Sequence, residues 1–129
     1  MIFLDANFLV YLNLGVREVE EFFYRLMTEE GLALDPLVID EVLYVSKRKY
    51  GVKYEDTIDF LDRVVLPVSV VLPITREDYD RAKEIIMGND LKPSDALHAA
   101  VMLDNSIRRI VSEDRELDRV KGIERVWPA

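Results

Sequence analysis

The sequence predicts one α/β domain built on a parallel sheet, and three observations predict it. Short, largely apolar runs of strand length recur at residues 1–4, 32–34, 68–72, 110–111 and 124–127. Segments with helical periodicity alternate with them, which points to a parallel sheet covered on both faces by helices. No repeat, low-complexity tract or linker divides the 129 residues, a length that suits one domain (1–129) with a proper hydrophobic core.

Taken in order, Met1-Ile2-Phe3-Leu4 is a short buried strand that closes on Asp5, and Asn7 to Leu12 follows at once as a helix. A second helix spans 16–30, its apolar positions Val19, Phe22, Phe23, Leu26 and Met27 recurring at three and four, with Gly31 as its stop. Leu32-Ala33-Leu34 is a strand. Asp35-Pro36 opens a helix running to Tyr50, with proline at a favoured first position and Gly51 ending it. Residues 54–66 form a helix with Ile58, Leu61, Val64 and Val65 inward, and Val68 to Leu72 is a strand between Pro67 and Pro73. Thr75 caps a helix with an acidic first turn, which runs to Met87 and breaks at Gly88-Asn89-Asp90. Lys92-Pro93-Ser94 leads into an Ala-rich helix from Asp95 to about Asn105. Ile110-Val111 is a strand, 113–118 a helical turn and 124–127 the last strand.

Four carboxylates stand where packing alone would not put them. Asp5 closes the first strand, Glu41 interrupts apolar helix sequence, Asp95 heads the Ala-rich helix, and Asp114 follows the strand at 110–111. A buried charge is costly unless it is paired or bound to a cation. Four such groups in one pocket would make a site for a divalent metal that prefers hard oxygen ligands. Ligands of open α/β sheets gather at the carboxyl ends of the strands, where Asp5 and Asp114 lie. At about 100° per residue, Glu41 falls among Leu37, Val38, Tyr44 and Val45, toward the core. Asp95 lies at the edge of a face made by Ala96, Ala99, Ala100 and Leu103, although an aspartate in a first turn also serves the helix dipole without any function.

Composition limits the alternatives. Half the residues are apolar and a third charged, as in a soluble globular chain. Zero cysteines exclude disulfides and thiolate metal sites, and no apolar run reaches the ~20 residues of a membrane span. With no basic flank before its first apolar stretch, the chain is expected to lack a signal peptide and to be cytoplasmic. The net charge of −8, from 17 basic and 25 acidic residues, argues against a general nucleic-acid coat. A nuclease stays open, because the four acids supply half the excess and a bound metal inverts the local sign.

The segments Phe3-Leu4-Asp5-Ala6-Asn7, Leu37-Val38-Ile39-Asp40-Glu41-Val42, Leu91 to Ala100 and Ile110 to Leu117 together resemble the PIN-domain family of ribonucleases. Their order, spacing and total length are similar to those of the small prokaryotic VapC-like toxins of type II toxin–antitoxin systems. The resemblance implies a three-layer α/β/α fold and cleavage of RNA dependent on Mg²⁺ or Mn²⁺. It places Asp5, Glu41, Asp95 and Asp114 on the family's acidic quartet, as metal-binding and catalytic residues. Asn7 falls on a polar position that supports the first aspartate, and Ser112 on a small hydroxyl residue beside the fourth acid. Leu117 stands where an aromatic is usual, so Asp118 remains an alternative to Asp114. The resemblance also implies a homodimer and a cognate antitoxin.

Around the acids, Arg48, Lys92 and Arg115 are candidates for holding RNA phosphates, while Lys49 reads as a solvated helix end. Tyr11, Tyr44 and Tyr50 are candidates for stacking on unpaired bases. His98, one turn after Asp95, could orient that carboxylate or carry a proton, but reads as a structural helix residue and is not placed in the site. Two other readings are open: a phosphohydrolase with Asp5 as nucleophile, weakened because Asn7 stands where a second aspartate is needed, and a PIN-like module that only binds partners.

Overall fold

The computed structural model describes residues 1–128; Ala129, the end of the expected domain, lies outside them. Five three-residue strands form one parallel sheet in the order β3-β2-β1-β4-β5: β1 is Ile2–Leu4, β2 Leu32–Leu34, β3 Ser69–Val71, β4 Arg109–Val111 and β5 Glu124–Val126. β1 lies at the centre, pairing Ile2 with Leu32 on one side and with Arg109 on the other. All three of its residues are fully buried, as are Ala33, Leu34, Ile110 and Val111. Such runs cannot alternate apolar with polar, because both faces of a central parallel strand are covered.

The helices are α1 (Ala6–Asn13), α2 (Arg17–Glu29), α3 (Pro36–Tyr50), α4 (Tyr54–Phe60), α5 (Arg76–Asn89) and α6 (Pro93–Asp104). α1 packs on α2 and α3, α3 on α4, and α5 on α6. Right-handed crossovers place α1–α4 on one face of the sheet. The chain then steps back across the sheet from β3 to β4, which sends α5 and α6 to the other face. The winding therefore reverses between β1 and β4, and the crevice at their carboxyl ends is where such a sheet takes its ligand.

Local signals account for most boundaries. Asp35 caps α3 by accepting the Val38 N–H at 3.0 Å, Pro36 takes the first turn, and Gly51 ends the helix at φ 71°. Thr75 and Asp78 form a reciprocal capping box at the start of α5. Four expectations need correction. Gly31 is not a left-handed cap: α2 closes at Glu30 in extended backbone, and a Cβ at Gly31 would lie 3.3 Å from the end of the Met1 side chain, which would have to shift slightly. α5 runs past Gly88 and ends at Asp90, which takes the left-handed conformation.

The third correction lies after α4. That helix widens into a π-helix at Leu61–Val65 and tightens into a 3₁₀ turn at Leu66–Val68. The wider turn keeps Leu61 and Val65 on the core and rotates Val64 off it, while Ile58 is also exposed. Fourth, the sheet is not covered throughout, since Val70 and Val71 of the edge strand β3 are open to solvent. Among the described residues, no helix is long and apolar enough to cross a membrane.

Candidate active site at the carboxyl edge of the sheet

Asp5 follows β1 directly and caps α1, its Oδ1 accepting the Ala6 N–H at 2.8 Å. Its Oδ2 accepts the Ser112 hydroxyl at 2.6 Å from the end of β4. That hydroxyl oxygen in turn accepts from Asn7 Nδ2 at 3.2 Å and from the Asp114 N–H at 3.0 Å. Asn7 returns its Oδ1 to the Glu113 N–H at 3.3 Å. Ser112 and Asn7 thus fix the loop after β4 against the start of α1. Asp114 Oδ1 accepts the Glu116 N–H at 3.0 Å and caps the short 3₁₀ helix Arg115–Arg119. Burial pushes the Asp5 carboxyl above its usual range, against the lowering effects of His98, Ser112 and the Ala6 N–H.

Glu41 sits at the edge of α3's buried face, which is centred on Val38, Val42 and Ser46. Tyr44, expected inward with it, is 56% exposed. What holds Glu41 is His98 of α6, whose Nε2 lies 3.0 Å from Glu41 Oε1 and whose Nδ1 lies 2.7 Å from Asp35 Oδ2. The ring is 1% exposed and rests against Phe3 at 5.6 Å. Burial alone would push this imidazole down, but hydrogen bonds to Asp35 and Glu41 and the charges of Asp35 and Asp5 carry it up to about 10. At neutral pH the chain therefore keeps one internal cation among three carboxylates.

Asp95, in the first turn of α6, has no such neighbour. Its Oδ2 is buried and has no hydrogen-bond partner among the described residues. Burial, then Asp114 and the charge of Asp5, push its carboxyl up to about 7. No salt bridge among the described residues reaches Asp95 or Asp114. A buried acceptor without a partner beside further carboxylates fits a bound cation, and a set of oxygen ligands fits a hard one. Ligand atoms of Asp95, Asp114 and Glu116 lie within 4.8 Å of one another, as do those of Asp5, Glu41 and His98. The acidic cluster can thus hold a metal ion. Asp118, the alternative to Asp114, is taken by Arg125 at 3.0 Å and points away from this use.

Asp5, Glu41, Asp95 and Asp114 line one cleft of about 180 Å³, with room for several waters. Asn7, Tyr11, Lys49, Tyr50, Lys92 and Glu113 add the other polar groups of its wall. Lys92 is where the sequence reading expects it, and two other basic positions are not. Lys49, not Arg48, reaches the cleft, because Glu41, Val45 and Lys49 turn progressively toward Asp5 while Arg48 turns to the solvent side of Glu41. Arg115 points into a neighbouring groove with Arg125 and Trp127. Tyr11 donates to Glu113 Oε1 at 2.9 Å, and that bond pushes its phenol up to about 12. Tyr44 faces a separate groove beside Tyr54 and Ile58.

Sequence reasoning left His98 outside the site and did not join Asp35 to it. Asp35 reads locally as an ordinary helix cap, which it also is, and no spacing rule joins it to a histidine 63 positions away. The available signal was His98's place on the buried face of the Ala-rich helix, where a polar ring needs partners.

The PIN domain family's sequence model matches residues 2–123. Ribonuclease VapC13 of Mycobacterium tuberculosis is 31% identical over 134 aligned positions, covering 98% of this chain and 99% of the relative. Ribonuclease VapC2 of Methanocaldococcus jannaschii is 28% identical, covering 95% and 91%. Among solved structures, VapBC2 from Rickettsia felis bound to a DNA fragment from its promoter superposes with a TM-score of 0.78 at 18% identity, over 98% of both chains. That likeness carries the fold, and the full-length match carries the lineage: the chain belongs to the PIN domain family.

Proposed function

We propose that this protein is a metal-dependent endoribonuclease acting on single-stranded RNA, the toxin of a toxin–antitoxin pair. The observation that carries the metal-dependent chemistry is the buried Oδ2 of Asp95, without a hydrogen-bond partner among the described residues, in a cleft that Asp5, Glu41, Asp114 and Glu113 also line. The ribonuclease reading is supported by full-length relatives named as VapC ribonucleases. One solved neighbour of the same fold is described as a sarcin–ricin-loop-cleaving toxin, and another as a toxin–antitoxin complex.

Asp95 and Asp114, with Asp5 and Glu41, would hold Mg²⁺ or Mn²⁺, which when bound lowers the pKa of a water and offsets charge on the scissile phosphate. The rest falls to the chain's own groups. Ser112, Asn7 and the Ala6 N–H keep the Asp5 carboxylate in one orientation. Lys92 and Lys49 at the rim neutralise flanking phosphates and so position the strand without reading its sequence. Tyr11 and Tyr50 line the same cleft and are the aromatic groups there that would meet unstacked bases. The phosphohydrolase alternative is weakened by Asn7, which stands where that chemistry needs a second aspartate.

A cognate antitoxin, a homodimer and a cytoplasmic location belong to the same reading. The test is to incubate wild type and Asp5→Asn with a mixed RNA pool in Mn²⁺ and in chelator, and to map new ends. Cleavage confined to wild type with metal is expected. Cleavage by Asp5→Asn at the wild-type rate would remove Asp5 from the site. No cleavage together with no metal binding would favour a module that only binds partners.

A further inference from the structure

His98 is the chain's single histidine, and its surroundings give it a task beyond packing. The carboxylates at its two nitrogens only accept hydrogen bonds when ionised, so each nitrogen must carry a proton to satisfy them. A ring protonated on both nitrogens has no lone pair for a metal, so His98 is not a ligand despite lying within reach of Asp5 and Glu41. It does not line the cleft either, so it does not pass protons to a substrate. Its effect has to run through a neighbour.

That neighbour is Glu41. Its side chain is 28% exposed at the cleft margin, and a glutamate there has several torsions to settle. The other end of the relay is rigid. Asp35 is fully buried, its Oδ1 is held by the Val38 N–H at the start of α3, and its Oδ2 holds His98. Phe3 of the central strand closes one face of the ring. Resting on the ribonuclease assignment of Glu41 above, we infer that His98 is a positioning residue: anchored by Asp35 through Nδ1, it holds Glu41 Oε1 through Nε2 and fixes where Glu41 presents its second oxygen. The relay ties together the start of α3, its second turn and α6, so the acid on one face of the sheet is set by a ring from the helix pair on the other.

Asparagine and glutamine separate the two bonds of the ring. Asn in place of His98 keeps a donor near the Nδ1 position for Asp35, and Gln keeps one near the Nε2 position for Glu41. We would measure kcat and KM on an RNA oligonucleotide containing a mapped cleavage site, and Mn²⁺ affinity by calorimetry. The set is wild type, His98→Asn, His98→Gln, Glu41→Ala and the double variant His98→Asn with Glu41→Ala. His98→Asn should lower kcat by roughly 10–100-fold, as loss of a group orienting a metal-site residue does. KM should stay within about three-fold, as expected when only the chemical step suffers. His98→Gln should recover part of kcat. In the Glu41→Ala background His98→Asn should cost nothing further in kcat or in Mn²⁺ affinity.

Losses that multiply with those of Glu41→Ala, or that merely follow the unfolded fraction, would overturn the inference. If wild type fails to cleave RNA, the ribonuclease reading falls and calorimetry alone decides: equal Mn²⁺ affinity in wild type and His98→Asn overturns the positioning role. Should His98→Asn not fold, proton NMR on wild type and Glu41→Ala replaces it. The slowly exchanging Nε2 proton should vanish in Glu41→Ala while the Nδ1 proton persists, and loss of neither would sink the proposal.

Discussion

Ser112 and Asp5 stand 107 positions apart in the chain and 2.6 Å apart in space, hydroxyl to carboxylate, at the ends of two adjacent strands. Ser112→Ala removes that donor and also the acceptor used by Asn7 and by the Asp114 N–H. A buried carboxylate oxygen left without its partner costs about 1–3 kcal/mol, which a denaturant melt would resolve. The same hydroxyl lowers the Asp5 pKa, so its loss raises that pKa further. The acidic limb of the pH–rate profile is therefore expected to move to higher pH in Ser112→Ala. An unmoved limb would show that Asp5 does not govern it.

Asp95 offers a prediction about stability without metal. Its folded carboxyl titrates at about 7 against 3.8 in a free chain. A carboxyl raised on folding favours the folded state most below pH ~4, and the benefit is lost as pH rises through 7. Asp95→Asn should therefore gain roughly 1–3 kcal/mol over wild type at pH 8 and about a third of that at pH 5, in chelator. Added Mn²⁺ should raise the Tm of wild type at pH 8 and leave that of Asp95→Asn nearly unchanged. Equal metal shifts in both proteins would move the cation away from Asp95.

How far the sequence could be read depends on the range of the interaction. β1, β2, α3 and α5 follow from local rules, since strand burial, Pro36, Gly51 and the Thr75 cap act within a few residues. The acids after β1 and β4 were legible because strand ends share one edge of a parallel sheet. The π turn was not, since nothing in Leu61 to Val65 announces a fifth residue in the turn, and Val64 within it faces solvent. The Asp35–His98–Glu41 relay was not legible for another reason. It joins residues from opposite faces of the sheet whose meeting depends on how α3 and α6 dock.

That relay has its own pH signature. His98 holds its proton to about 10 in the fold and to 6.5 in a free chain. A histidine raised on folding stabilises fully below pH ~6.5, and the contribution is lost as pH rises through 10. Wild type should therefore lose stability between pH 7 and 10, by a few kcal/mol in all. His98→Gln, already destabilised, should lack that slope. A flat wild-type profile over the same window, measured by thermal melts, would mean the ring is neutral in the fold.

The lysines of α3 separate two ideas about how RNA is held. Lys49 lines the cleft, whereas Lys47 lies over the Tyr54 ring at 4.3 Å on the other side of the helix and Arg48 faces solvent. If strand binding needs charge at the cleft wall, Lys49→Ala and Lys92→Ala should each raise KM several-fold. Each should also flatten the salt dependence by about 0.7 in log–log slope, the share of one phosphate contact on a single strand. Arg48→Ala and Arg115→Ala should change neither quantity. The contrast is informative because Lys49 and Arg48 are neighbours on one helix end, so removal of either takes the same charge from the net balance. An effect of Arg48→Ala as large as that of Lys49→Ala would mean that the general field of the helix end, and not the cleft wall, steers the RNA.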